Sequence, residues 1–91
     1  MATIIITVKL MPSSVDADIE AIREAAVGVI SKLHGTVGKA VVEPVAFGLN
    51  ALVVMFSADE SMGSTEALEQ RLAGIDGVQS VQVLDVRRAV G

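Results

Sequence analysis

Glu43-Pro44-Val45-Ala46-Phe47-Gly48-Leu49 separates two apolar runs in a chain of 91 residues, and its reading decides the fold. Pro44 fixes its own φ and disfavours the helical region for Glu43, so the backbone enters extended or turning. Gly48 permits dihedrals closed to other residues and leaves the neighbouring ring unshielded on one side. The stretch is therefore a turn joining two strands. It also carries Phe47, one of only two aromatic residues in the protein. A ring on such a turn is either a plug closing one end of a core or a knob offered to a partner, and the residues alone leave both open.

On either side of the turn the pattern is that of a sheet. Thr36 to Val42 reads as an edge strand, broken at Gly38 and stopped near Pro44. Leu49 to Ser57 is apolar on both faces: Leu52, Val54 and Phe56 on one, Leu49, Ala51, Val53 and Met55 on the other. That suits a central strand with a cover on each side, or a partly exposed greasy face. Further upstream, Thr3 to Leu10 places Ile4, Ile6, Val8 and Leu10 on one face, and Pro12 ends the strand. A helix is expected from Asp16 or Asp18 to Leu33, since either Asp caps it and Ile19, Ile22, Ala26, Val29, Ile30 and Leu33 form one stripe. Gly35 is the expected left-handed residue after it, and His34 lies in the last turn.

Downstream, Ser64 is expected to cap a short helix ending about Ala73, with Leu68, Leu72 and Ile75 inward. Val78 to about Arg88 is the last strand. Val81 and Val83 alternate, but Leu84 and Val86 then carry the apolar phase, and that slip of one residue predicts a bulge. Strand, helix, strand, strand, helix, strand is the ferredoxin-like split βαβ order. It predicts an α+β fold: an antiparallel four-stranded sheet ordered 4-1-3-2 with two helices on one face. One domain is expected over residues 1–91.

Composition narrows the function. The longest uncharged run, Pro44 to Ala58, has 15 residues, too short to span a bilayer, and the first residues lack the basic region and cleavage site expected of a signal peptide. With no cysteine there is no disulfide framework or thiolate chemistry, and a cytoplasmic location is the default expectation. Eleven acidic and seven basic residues are dispersed, with no Trp or Tyr, which argues against direct nucleic-acid binding and agrees with a basic protein partner. The single His34 has no orienting acid or second imidazole, so neither a catalytic triad nor a metal site is expected, and no cofactor is implied. Gly63-Ser64-Thr65 is an ordinary N-cap or an anion-binding helix start; no lysine follows as in a P-loop. Arg87-Arg88 is the only adjacent basic pair, a solubilising tail or a charged contact.

Several segments together resemble the elongation factor 1-beta family, its archaeal members and the C-terminal catalytic domain of the eukaryotic ones. They are the strand ending in Met11-Pro12, the helix start Asp16 to Ile22, the turn Glu43 to Leu49, Gly63 to Ala67, Ile75 to Val78 and the closing Asp85-Val86-Arg87-Arg88. The resemblance spans essentially the whole chain. It implies guanine-nucleotide exchange, without chemical catalysis, on elongation factor 1-alpha, the GTPase that delivers aminoacyl-tRNA. It also implies a partner-binding set of Pro44, Ala46, Phe47, Gly48, Arg87 and Arg88. Phe47 would enter a pocket on the GTPase and a C-terminal basic residue, by position Arg88, would reach toward its magnesium site. The chain departs from the eukaryotic pattern at Met11 (Lys there), Ser13 (Trp), Ala46 (Gly) and Arg88 (typically Lys). A different class of reading is a small ligand-binding regulatory module acting as an oligomer through Ile5, Ala51, Val53 and Met55. A structural subunit without activity is a third.

Overall fold

Alternating β-branched and aliphatic side chains make β1, Thr3–Pro12, the spine of the sheet, with Ile6, Val8 and Leu10 buried on one face. The computed structural model describes residues 3–60 and 65–89. These form β1, α1 (Ile19–Lys32), β2 (Thr36–Pro44), β3 (Asn50–Asp59), α2 (Glu66–Ala73) and β4 (Val78–Arg88). The strands lie in the order β2-β3-β1-β4, and every neighbouring pair is antiparallel. This is the 4-1-3-2 arrangement expected from the sequence. Both helices cover one face, because Ile22, Ala26 and Ile30 of α1 and Leu68 and Leu72 of α2 join Ile6, Val8, Leu10, Leu52, Val54 and Phe56 in one core. Each of the larger of these contributes about 1.5–3 kcal/mol by leaving water.

Of the two candidate caps of α1, Asp18 is used. Its Oδ1 accepts from the Glu20 and Ala21 amides at 3.1 and 3.2 Å. The other end corrects the expectation about Gly35. The left-handed residue is His34, at φ 64°. Its N–H donates to the Ser31 carbonyl and that of Gly35 to the Ile30 carbonyl, the double closure of a Schellman motif. Glycine is required one position later for space, since a Cβ at Gly35 would lie 2.6 Å from Ile30 Cγ2.

α2 begins at Glu66 with Thr65 as N-cap, and Thr65 makes no side-chain cap bond. The expected cap Ser64, and most of the Gly63-Ser64-Thr65 anion reading, fall on residues 61–64, outside the described residues. β3 begins at Asn50 rather than Leu49, because Leu49 donates back to Ala46 and closes the turn. Ala51 lies on the open face of the sheet as expected, opposite Glu43 on β2, and is buried there.

The phase slip in the last strand is a bulge. Val83 pairs with Val8 and Asp85 with Thr7, so Leu84 is the extra residue. Beyond it Val86 lies opposite Ile6 and Arg88 opposite Ile4 on the helix side, while Asp85 and Arg87 lie opposite Thr7 and Ile5 on the open side. β2 carries a second irregularity between Val37 and Lys39, at Gly38.

Candidate functional site

The turn between β2 and β3 is built from its chemistry upward. Pro44 is the last residue of β2, paired with Asn50, and offers no N–H to continue the ladder. Val45 N–H donates to the Leu49 carbonyl at 2.7 Å and Leu49 N–H to the Ala46 carbonyl at 3.3 Å, closing a single 3-10 turn over Ala46–Gly48. Inside that turn Phe47 and Gly48 both have positive φ, 62° and 77°. For glycine this is free, whereas a phenylalanine in the left-handed region carries about 1–2 kcal/mol of strain. The result is a ring that is 94% exposed. The ring projects into solvent, and the plug reading is excluded.

A residue that sequence reasoning passed over lies against Gly48 of the same turn. Val15 is 62% exposed, and its Cγ1 comes within 3.9 Å of the Cβ position at Gly48. Its signal was visible in principle, since it is the lone aliphatic residue between Ser13-Ser14 and Asp16.

The two arginines do not form one basic patch. The pleat sends them to opposite faces of β4. On the open side Arg87 Nε donates to Asp85 Oδ2 at 2.7 Å. On the helix side Arg88 reaches across the start of β1 to Glu60, which lies just past β3 and whose role the sequence did not suggest. Both pairs are exposed. Such pairs contribute about 0–1 kcal/mol, so either cation exchanges partners cheaply.

Phe47 and Arg88 are also far apart. Arg88 lies level with Ile4, and Asn50 lies two residues past Leu52, which is level with Leu10. That is about eight residues, or about 26 Å, along the strands. They occupy opposite ends and opposite edges of a molecule 41 Å long. Among the described residues no three His, Asp or Glu side chains gather as a metal site requires, and no helix is long and apolar enough to cross a membrane.

Residues 5–89, covering all six strands and helices except the start of β1, match the family of the EF-1 guanine nucleotide exchange domain. The chain belongs to that family. Relatives in the EF-1 exchange-domain family include elongation factor 1-beta of Methanosarcina barkeri, 42% identical over 91 residues, with 97% of this chain and 99% of that protein covered. The elongation factor 1-beta of Methanothermobacter thermautotrophicus is 43% identical, with 97% and 98% covered. Solved structures share the fold at low identity. The ACT domain from GTP pyrophosphokinase of Chlorobium tepidum superposes with a TM-score of 0.60 at 18% identity, covering 88% of this chain and 96% of that one. The C-terminal domain of the MgtC protein from Mycobacterium tuberculosis gives 0.61 at 14%, covering 98% and 88%. These two likenesses establish the ferredoxin-like architecture of this exchange-domain chain and nothing about its partner.

Proposed function

We propose that this protein acts as a cytoplasmic translation factor that promotes exchange of GDP for GTP on elongation factor 1-alpha. It does so by binding, as a single exchange domain with no cofactor and no chemical step. The observation that carries this reading is Phe47, held outward in a strained turn on a chain of the EF-1 exchange-domain family. Pro44, Ala46 and Gly48 set the turn, and Phe47 enters an apolar pocket on the GTPase. An exchanger that binds the nucleotide-free state more tightly than the GDP state must, by linkage, weaken GDP binding by the same factor. Arg88, released from Glu60, brings a cation toward the magnesium position, where it disturbs the charge that holds the phosphates. A planar guanidinium is a looser mimic of a compact ion than an ammonium. Arg87 occupies the other face and serves as the control.

Because Phe47 and Arg88 are about 26 Å apart along the strands, the molecule lies lengthwise against the GTPase, one end at the pocket and the other near the nucleotide. The test is release of fluorescent GDP from elongation factor 1-alpha. Acceleration at micromolar protein is expected, with Phe47→Ala weakening the complex and Arg88→Ala slowing release more than Arg87→Ala. Release at the spontaneous rate sinks the proposal. The ligand-binding oligomer has one observation in its favour, the open sheet face around Ile5 and Met55, where Met55 is 42% exposed. Sedimentation separates it, since it requires a stable dimer burying that face.

A further inference from the structure

Three connections meet at the Phe47 end of the sheet, joined by one backbone bond and by side-chain packing. The β1–α1 loop, residues 13–18, touches the β2–β3 turn through Val15 and Gly48. The same loop holds the α2–β4 turn, residues 74–77, by a 2.8 Å bond from Ser13 N–H to the Gly77 carbonyl, with Ala17 Cβ packed 4.0 Å from the Cβ position at Gly77. The exposed apolar residues of this end are Phe47 and, near Gly48 of the same turn, Val15.

Its charges are of one sign. Asp16, Asp18 and Asp76 lie in these connections, Glu43 flanks the turn, and the three connections contain no Lys or Arg. The nearest bases are Arg23, paired with Glu20, and Arg71 in the last turn of α2. With the Arg23–Glu20 pair and Arg71 counted, five acids face two bases, so three of the chain's four net negative charges lie at this end. Asp18 is turned inward to the α1 amides, while Asp16, Glu43 and Asp76 are exposed and in no ion pair among the described residues.

We infer that Val15 and Phe47 form one two-part apolar anchor framed by Asp16, Glu43 and Asp76, and that its occupant is a GTPase surface with an apolar pocket and a rim of Lys and Arg. This rests on the exchange-factor reading and adds to it a second anchor residue and the charge of the partner's surface. A second copy of this chain is the poorer occupant, because a two-fold contact would set the same carboxylates against one another. A rim of opposite sign also speeds encounter, with an effect that fades as salt rises.

The experiment measures association and dissociation rates with elongation factor 1-alpha at several ionic strengths, beside GDP release, for the full chain and two variants. Neutralising the frame together (Asp16→Asn, Glu43→Gln and Asp76→Asn) is expected to lower the association rate about tenfold at low salt and flatten its salt dependence. Val15→Ser is expected to raise the dissociation rate several-fold at unchanged association, because rim charges act on encounter and buried anchors on residence. Circular dichroism and urea midpoints confirm that both variants are folded. An unchanged salt slope in the neutralised variant, or an unchanged dissociation rate in Val15→Ser, overturns the inference. If that happens while the unmodified chain still accelerates GDP release, the exchange reading survives and only this surface is wrong. If the unmodified chain does not accelerate release, both fall. A dimer of the chain alone that Val15→Ser dissolves would also overturn it.

Discussion

A phenylalanine at φ 62° with 94% of its surface in solvent adds strain to its own fold and no burial. Phe47→Gly should therefore raise stability, by up to about 1 kcal/mol in urea denaturation, while weakening binding to the GTPase. Phe47→Ala keeps the strained backbone and should shift stability by less than about 0.5 kcal/mol. A loss of 2 kcal/mol or more in either would mean that the ring packs inward in solution. The same reasoning separates two neighbours at the end of α1. His34→Gly is expected to stabilise by up to about 1 kcal/mol, whereas Gly35→Ala drives a methyl into Ile30 and should cost about 1–3 kcal/mol. The sequence pointed at the right glycine for the wrong reason. A glycine advertises freedom in φ, but here its missing Cβ is what the packing uses, and the left-handed turn falls on the histidine before it.

At the scale of elements, one extra residue in β4 decides which arginine faces which side. Without the bulge Leu84 would pair with Thr7, and every later side chain of β4 would change face. Deleting Leu84 would instead close the ladder with Val83 and Asp85 still opposite Val8 and Thr7, so Arg87 and Arg88 keep their faces and Arg88 keeps Glu60. A change of less than about 1 kcal/mol in urea denaturation is expected, and a loss of about 3 kcal/mol or more would mean that Leu84 is paired in the ladder. The bulge itself was legible, because the apolar phase moves by one between Val83 and Leu84. So were the strand order and the cover on one face, which follow from period-two and period-3.6 patterns. What the sequence could not show was how loops meet. Val15 reaches Gly48 across 33 positions and Arg88 reaches Glu60 across 28, contacts that no local pattern encodes. Phe47 was found because an aromatic beside glycine is unusual locally, whereas its neighbour and its left-handed backbone belong to the tertiary structure.

At the scale of the whole molecule, the length of the sheet sets the form of any interaction through both ends. Sites about 26 Å apart with no shared neighbours should act independently. A double-mutant cycle of Phe47→Ala and Arg88→Ala on nucleotide release is expected to be additive within about 0.5 kcal/mol. Coupling above about 1 kcal/mol would require the two to meet through the GTPase. The uneven placement of charge has a mechanical consequence as well. With three of its four net negative charges at one tip of a 41 Å body, the molecule experiences a torque in the field of any cation-rich surface. Against such a surface it would swing round before arriving, so that the tip bearing the ring would touch first and the opposite end would be brought down afterwards like the second foot of a step.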